Sequence, residues 1–269
     1  HPVAHSFPTR RSSDLFGQFL EQGLINLDDP VGNYLPEFPT DGKNAITMRQ
    51  CFTHTCGLWG HEVWEGMHNP QLENVIANAL ELGLVEPGKT HNYNGTGYNL
   101  AGRVMEVVSG KSIFRLLQEH LFDPLEMKHT VMQGDLAFSS NCAARELATI
   151  GQMLLNGGAY GDLRFFSNET FNKMLPKNLS QFYSGIDLDW GVGITWMNQP
   201  HPESGNSGIP ESKNLLSDKV IGHGSATSSI LNIDLENGIV LTMTRHYGGN
   251  NYDNYRVKML EIIDRNKFN

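Results

Sequence analysis

The sequence predicts an α/β protein of the α+β kind, in which helices flank an antiparallel sheet and form a mostly helical lobe. Up to about residue 187 the apolar residues recur at helical spacing, and from about residue 188 they form short runs rich in β-branched residues. The triplet Glu236-Asn237-Gly238 between the last two runs is a hairpin signal, which favours antiparallel neighbours. We therefore expect a single domain over residues 16–269, with a helical lobe at 16–187 and the strands plus a final helix at 188–269.

The composition narrows the classes of partner. The chain has 269 residues, of which 39% are hydrophobic, and this is enough for a large core. Its 29 acidic and 20 basic residues give a net charge of -9 without a long basic run, which disfavours nucleic acid and anionic membrane surfaces. No apolar run reaches the roughly 18 to 20 residues of a membrane span. We expect a small-molecule or peptide substrate, and the oligomeric state stays open.

The first fifteen residues, HPVAHSFPTRRSSDL, differ in character from the rest of the chain. They show no hydrophobic periodicity, are unlike a signal peptide, and resemble the translation of a sequencing-library adapter. We therefore expect residues 1–15 to be a non-native leader without a folded element. From Phe16 onward, Phe19, Leu20 and Leu24 lie on one predicted helical face.

Two turns frame the next helices. A proline-rich connector leads to Thr47 and Gln50, whose spacing is that of a capping box opening a short helix, and the segment THTCGL at 53–58 ends that helix. A second helix is predicted around residues 72–80. The residues predicted to face inward in these two helices are Met48, Cys51 and Phe52, followed by Leu72, Val75, Ile76, Ala79 and Leu80.

Tyr93 lies in a glycine-rich turn directly before another amphipathic helix. The segment PGKTHNYNGTGYNLAG places glycines around the tyrosine, and glycine permits backbone angles that other residues resist. The helix is then marked by apolar residues on one face. We expect Tyr93 to face a cleft while the helix is anchored in the core through Leu100, Val104, Val107 and Val108.

The remaining elements follow the same patterns. Two helices carry apolar stripes, and a third begins at the capping residue Ser167. Later runs predict strands at Gly191–Trp196, Ser228–Asp234 and Ile239–Arg245, followed by a helix from about Tyr252. The inward residues expected for the four helices are Ile113, Leu116, Leu117 and Leu121; Leu147, Ile150, Leu154 and Leu155; Phe171 and Met174; and Leu260 and Ile263.

No pattern predicts a metal or another cofactor. The three cysteines, Cys51, Cys56 and Cys142, form neither a disulfide framework nor a paired CxxC motif, so we expect small buried hydrophobes. His54, His61 and His68 are seven residues apart, but Gly57, Gly60 and Gly66 break any helix that would align them. We therefore predict no metal site.

Six ordered segments carry a family resemblance: EQGLINLDDPV, MRQCFTHTCGL, EPGKTHNYNGTGYNLAGRVMEVVSGKS, LFDPLEMKHT, LATIGQMLLNGGAYGD and IGHGSATSSILNIDLENG. In this order they resemble the serine β-lactamase and penicillin-binding-protein superfamily, especially its class C and esterase-like branch. That family acylates the serine of an SxxK motif, and uses the lysine as proton acceptor, the tyrosine of a YxN motif as proton relay and a KTG-like strand motif beside the substrate. The resemblance implies a β-lactamase/transpeptidase-like fold.

The resemblance assigns roles to positions in this chain. Tyr93 matches the relay tyrosine, and His223 matches the lysine or histidine of the strand motif. A phenol ordinarily titrates at about 10 and needs polar or cationic neighbours to serve at neutral pH. The N–H of Ala226, after Ser225, would be one oxyanion-hole donor, and the N–H of the nucleophile would be the other.

The chain departs from the family pattern at three places. No SxxK occurs, and the alignment puts the serine near Ser6, inside the leader, with Thr9 at the lysine position. Gly95 stands where the YxN asparagine belongs, and Ser225 replaces a glycine and narrows the approach to the strand. We expect the nucleophile, its lysine and the N-terminal strands of the family's sheet to be missing, and the chain as given to be inactive.

Two functions stay open at this stage. The first is a serine hydrolase that acts on an ester, amide or peptide through an acyl-enzyme, as a carboxylesterase, D-alanyl carboxypeptidase or β-lactamase does. The second is a non-catalytic ligand-binding protein on the same scaffold, in which Gly95 and Ser225 are genuine losses. The compartment is open as well, and the resemblance is compatible with a periplasmic or extracellular full-length protein.

Overall fold

The structure is a computed structural model that describes residues 4–7, 11–38, 42–59, 74–132, 134–137, 140–198, 216–225, 229–245 and 249–266. The α-helices are α1 Arg11–Glu21, α2 Met48–Phe52, α3 Val75–Glu81, α4 Thr96–Ser109, α5 Ile113–Leu117, α6 Ala144–Leu155, α7 Asn168–Met174 and α8 Tyr252–Asn266. The strands are β1 Ala4–Phe7, β2 Leu58–Trp59, β3 Gly83–Leu84, β4 Val131–Met132, β5 Ser140–Cys142, β6 Ala159–Tyr160, β7 Leu163–Arg164, β8 Lys177–Asn178, β9 Asp189–Trp190, β10 Thr195–Trp196, β11 Val220–Gly224, β12 Ile230–Asp234 and β13 Ile239–Met243.

The main sheet is antiparallel and has the strand order β10-β11-β12-β13. The hairpin between β12 and β13 pairs Asp234 with Ile239, and its turn contains Gly238 at φ +69°. Helix α6 packs across β12 and β13, where a Cβ on Gly151 would lie 2.5 Å from Val240 Cγ1. The predicted hairpin and the α/β (α+β) class are therefore confirmed. Among the described residues, the strands before β10 pair in smaller sheets of their own.

The helical lobe is centred on a fully buried aromatic group. The rings of Phe16 and Phe52 lie 4.7 Å apart, and Phe52 meets Tyr98 edge-on at 5.4 Å. The Tyr98 hydroxyl donates a 3.1 Å hydrogen bond to the carbonyl oxygen of Phe52 at the end of α2. These contacts join α1, α2 and α4, and the last of these helices carries the Tyr93 turn at its N-terminal end.

Several local predictions are confirmed by the structure. Thr47 and Gln50 form both hydrogen bonds of the capping box, and Ser167 caps α7 by accepting from the N–H of Thr170. Cys51, Cys56 and Cys142 are buried, as expected. Apolar side chains predicted to face inward are buried at Met48, Cys51, Phe52, Val75, Ala79, Leu100, Val104, Ile113, Leu116, Leu117, Leu121, Leu147, Ile150, Leu154, Phe171, Met174 and Leu260.

Other expectations were wrong, and the reasons are local. Leu24, Leu80 and Val107 are exposed. Leu24 follows the end of α1. Val107 lies off the buried face of α4, which is centred on Ala101, Val104 and Met105. Of the strand predicted at Gly191–Trp196, only Thr195–Trp196 forms a strand, β10, while β9 ends just before the predicted range at Trp190. The middle of that range is a turn, in which the Gly191 N–H donates to the Ile194 carbonyl and Gly193 has φ +73°.

The start of the chain also differs from expectation. Strand β1 pairs antiparallel with β5, and helix α1 begins at Arg11, five residues before Phe16. Ser12, Ser13, Asp14 and Leu15 are all buried. The expectation that no folded element precedes Phe16 is therefore wrong for residues 4–7 and 11–15.

Glu146 in the first turn of α6 links this helix to the segment before β4. Its carboxylate accepts hydrogen bonds from the His129 N–H at 2.8 Å and the Thr130 hydroxyl at 2.6 Å, and it contacts His129 Nδ1 at 2.9 Å. Glu146→Ala removes this acceptor from the buried Thr130 hydroxyl and from the partly buried His129 N–H. We expect a loss of about 2 kcal/mol in the free energy of unfolding, measured by urea denaturation.

The control for that variant is Glu169→Ala, which removes an acidic residue from the first turn of α7. Glu169 pairs only with exposed Lys173 in an i,i+4 ion pair among the described contacts, so a loss under about 0.5 kcal/mol is expected. Equal losses for the two variants would show that the Glu146 contacts add nothing beyond a charge at a helix N-terminus.

Within the described residues, none of the helices combines the length and the apolar character that crossing a membrane requires.

Candidate active site

The THTCGL segment and the Tyr93 turn run side by side and are joined through their main chains. The N–H groups of Val85, Gly88 and Asn92 donate to the carbonyl oxygens of Gly57, Thr55 and His54, at 2.8, 2.9 and 2.8 Å. Close approach requires glycine at one of these places, because a Cβ on Gly57 would lie 2.2 Å from the Val85 carbonyl oxygen. We call these paired segments, residues 53–58 and 85–94, the paired turns.

Tyr93 is partly buried at the end of the paired turns. Its ring lies 4.4 Å from the ring of His54 and 6.0 Å from that of Trp190, measured between centroids. It also packs against a small cluster separate from the main core, formed by Leu179, Ile186 and Trp190. The tyrosine is therefore held by aromatic contacts on its ring while one edge reaches the main sheet.

The structure brings Tyr93 and His223 together although they are 130 positions apart. His223 is the fourth residue of β11 and pairs with Leu231 of β12. The Tyr93 hydroxyl lies 3.4 Å from His223 Nε2, which is a long hydrogen bond, and the two rings are nearly parallel at 17°. The two residues singled out as catalytic candidates thus share one contact.

The hydrogen bonds of His223 identify its tautomer. Its Nδ1 is bonded to the carbonyl oxygen of Gly224, which can only accept, so Nδ1 carries the proton. In the neutral imidazole Nε2 is then an acceptor, and the Tyr93 hydroxyl is the donor. His223 Nε2 can therefore take a proton from the phenol. This role differs from that of a cationic neighbour, which would only lower the pKa of a phenol.

The other predicted site residues lie in different settings. Gly95 is the N-cap of α4 with φ -84°, and the carboxamide of the preceding Asn94 accepts from the Thr96 N–H at 3.1 Å. The Ser225 hydroxyl accepts from the Ser229 N–H at 3.1 Å, so it braces the end of the strand. Ala226 lies outside the described residues, and the role of its N–H stays a prediction.

The position aligned with the nucleophile does not resemble a catalytic serine in this fold. Ser6 lies within strand β1, and not at the start of a helix. Ser12, at the start of α1, is fully buried. Neither Ser6 nor Ser12 therefore combines a helix start with an accessible hydroxyl, as the serine of SxxK does.

The cysteines and histidines next to the site do not form an alternative centre. Burial raises the pKa of the Cys51 and Cys56 thiols, which disfavours the nucleophilic thiolate. His61 and His68 lie outside the described residues. In the part of the chain that the structure describes, no group of three or more His, Cys, Asp or Glu side chains could hold a metal ion.

Two residues at the site carry no role in the sequence analysis. His54 is buried against Tyr93, and Trp190 meets the His54 ring edge-on at 5.0 Å. The sequence marks His54 only as one of three evenly spaced histidines and as a near neighbour of Cys56, within the turn THTCGL. The signal that could have identified it is a histidine in a glycine-bounded turn, since histidine is one of the residues that tolerate positive φ.

Curated proteins resemble this chain over more than two thirds of its length. An Escherichia coli K12 protein named "Putative D-alanyl-D-alanine carboxypeptidase" is 23% identical over 84% of this chain and 64% of its own length. The teichoic acid D-alanine hydrolase of Staphylococcus aureus is 30% identical over 69% of this chain and 43% of its own length. The chain thus spans less than two thirds of these relatives.

The fold has solved counterparts. The crystal structure of a penicillin-binding protein homologue from Caulobacter crescentus superposes with a TM-score of 0.75 and 15% identity, covering 99% of this chain and 83% of that one. A model of the family described as Beta-lactamase matches residues 15–258, nearly the whole chain. Because this model covers nearly the whole chain, the chain belongs to the beta-lactamase family.

Proposed function

We propose that this chain belongs to a serine hydrolase that cleaves an ester, amide or peptide bond through an acyl-enzyme. The observation that supports the proposal most directly is the contact between the Tyr93 hydroxyl and His223 Nε2. A phenol in contact with an imidazole base supports the roles of proton relay and strand-motif residue that the family resemblance implies for Tyr93 and His223. Proton transfer by such positioned groups contributes typically about 10² to 10⁴ in rate.

The proposed chemistry uses Tyr93 as a proton relay. A serine oxygen bonds to the substrate carbonyl carbon, and the serine proton is taken up by the basic groups of the site. The tetrahedral intermediate then collapses, the bond to the leaving group breaks, and the leaving group receives its proton through Tyr93. Water later cleaves the acyl-serine by the same route in reverse. In this scheme His223 holds or returns the Tyr93 proton, as its tautomer permits.

D-Alanine esters and amides are the substrate class that we propose. Both curated relatives reported above are named for D-alanine, one as a carboxypeptidase and the other as a hydrolase of teichoic acid D-alanine. An ester and an amide of the same acid share the acyl carbonyl that a serine attacks.

The 269 residues contain no SxxK, so labelling tests the nucleophile separately from the relay. We expect that this chain forms no covalent adduct with a fluorophosphonate or penicillin probe. The coding sequence upstream of Phe16 in the native gene is expected to supply SxxK about 17 residues before Gly23. Stoichiometric labelling of the 269-residue chain would contradict this expectation, and so would an intact upstream reading frame without SxxK.

In the protein expressed from the native gene, Tyr93→Phe is expected to lower kcat for a D-alanine ester by about 10² or more with little change in KM. The reason is that the relay acts on the transition state and not on ground-state binding. The matched control is Tyr160→Phe in the exposed β6–β7 hairpin, which should leave kcat unchanged. Equal kcat for Tyr93→Phe and the parent protein would exclude Tyr93 as the relay.

The absence of SxxK and the glycine at position 95 favour one second candidate, a ligand-binding protein without turnover. Under that function the native gene lacks SxxK, and isothermal titration detects a D-alanine ester binding without hydrolysis. Hydrolysis that depends on Tyr93 would exclude it.

A further inference from the structure

The residues before and after Tyr93 both donate hydrogen bonds to His54, one to its main chain and the other to its side chain. The Asn92 N–H donates to the His54 carbonyl oxygen at 2.8 Å, and the Asn94 N–H donates to His54 Nδ1 at 3.2 Å. These bonds fix the main chain on both sides of Tyr93. His54 therefore restrains the position of the tyrosine backbone.

The ring of His54 adds a third contact. It lies against the Tyr93 ring at 4.4 Å and a 31° tilt, and on its other sides it meets Tyr98 at 5.4 Å and Trp190 at 5.0 Å. The side chain is 2% exposed, so the ring is enclosed. Tyr98 belongs to α4 and is itself buried, so this packing ties the Tyr93 ring to the core of the helical lobe.

The backbone of His54 is unusual for a residue with a side chain. Its φ is +56°, in the left-handed region that costs a residue with a Cβ about 1 kcal/mol or more. Glycine at this position would adopt the same φ without strain, yet the chain has histidine here. A role for the side chain itself is therefore indicated, and not merely a tight turn.

We propose that His54 is the positioning residue of Tyr93, which it holds so that the phenol hydroxyl points at His223 Nε2. The proposal rests on the proposed function, because it concerns the direction in which the hydroxyl of the relay tyrosine points. The Asn94 N–H can only donate, so Nδ1 of His54 is unprotonated and the neutral ring carries its proton on Nε2. The residue at position 54 must therefore tolerate positive φ, and its side chain must carry a hydrogen-bond acceptor bonded directly to Cγ.

Two substitutions separate these requirements. His54→Gly accepts the backbone angle but removes the acceptor and the ring. His54→Asn also tolerates positive φ and puts its Oδ1 where Nδ1 stands, so it keeps the acceptor and loses only the ring. We expect His54→Asn to preserve the Tyr93 position and His54→Gly to lose it.

The readout is the ¹⁵N chemical shift of His223 Nε2, which reports whether a hydroxyl donates to it, measured by NMR on the 269-residue chain. Tyr93→Phe gives the value without the donor. We expect His54→Gly to show that same value, the double variant with Tyr93→Phe to show no further change, and His54→Asn to match the parent. Each variant is first shown to melt cooperatively. A folded His54→Gly variant with the parental shift would overturn the proposal.

A measurement on the unsubstituted chain covers the case in which His54→Gly does not fold. The ring ¹⁵N shifts of His54 are expected to show a bare Nδ1 and a protonated Nε2, and the Asn94 amide is expected to be protected from hydrogen exchange. A protonated Nδ1 would overturn the proposal. No step of either experiment requires turnover. Absence of hydrolysis by the protein expressed from the native gene would refute the proposed function, while the positioning role of His54 is decided separately on the 269-residue chain.

Discussion

Gly97→Ala is expected to lower the free energy of unfolding by at least about 3 kcal/mol, because α4 crosses α2 with no space for a methyl group. A Cβ at Gly97 would lie 2.3 Å from the carbonyl oxygen of Cys51 and 2.8 Å from its Cα. Both are main-chain atoms, so relief requires the two helices to move apart. Urea denaturation of the parent and variant measures the loss.

The control is Gly110→Ala at the C-terminal end of the same helix. Gly110 has φ +68°, and no described atom lies within 4 Å of its would-be Cβ, so only backbone strain of about 1 kcal/mol is expected. A loss at Gly97 no larger than that at Gly110 would show that α2 and α4 can separate freely. In that case the position of the Tyr93 turn beside His54 would not depend on this crossing.

Asp234→Ala is expected to cost about 3 kcal/mol, since this carboxylate organises the end of β12. It is 1% exposed and accepts from the N–H and hydroxyl of Ser217, at 3.1 and 2.6 Å. It also accepts from the N–H groups of Glu236 and Asn237 in the hairpin turn, at 3.1 and 3.0 Å, and from the Asn237 amide at 2.7 Å. Removing it leaves these donors with no acceptor of equal strength.

Chemical denaturation measures this loss, and Asp162→Ala in the exposed β6–β7 turn is the control, with an expected change within about 0.5 kcal/mol. If Asp234→Ala were as stable as Asp162→Ala, the hydrogen bonds of Asp234 would contribute nothing net to the fold.

The same carboxylate predicts a pH dependence. Burial raises the pKa of Asp234, but hydrogen bonds from Ser217 and Asn237 outweigh burial, and the net pKa lies below the ordinary 3.8. A carboxyl group whose pKa is lower in the folded state stabilises the fold above its unfolded pKa and loses that contribution as pH falls through the folded value. The unfolding free energy of the parent should therefore fall below about pH 4 more steeply than that of Asp234→Ala. Parallel curves between pH 7 and pH 3 would contradict this.

Features set by neighbouring residues could be predicted from the sequence. The capping box at Thr47 and Gln50, the cap at Ser167 and the turn at Gly238 each depend on a few adjacent side chains, so a local pattern suffices. Buried helix stripes could be predicted for the same reason. The edge of a stripe could not, because the exposure of Val107 depends on which neighbours cover the last turn of α4.

In the candidate site, too, individual residues could be predicted from the sequence but their contacts could not. Tyr93 and His223 could be singled out by their motifs, but their contact depends on how β11 meets the paired turns across 130 positions. The tautomer of His223 and the bonds of His54 depend on single main-chain groups supplied by the folded chain. No spacing in the sequence encodes them, so they required the structure.

The paired turns have a consequence for how substrate preference could diverge in this family. Main-chain bonds fix Gly88 and Asn92, while Lys89 and Thr90 between them are exposed. Because those bonds involve no side chains of the loop, the two exposed positions are free to mutate without moving the phenol that follows. The loop therefore carries two replaceable positions close in sequence to Tyr93, and substitutions there are expected to cost the fold little.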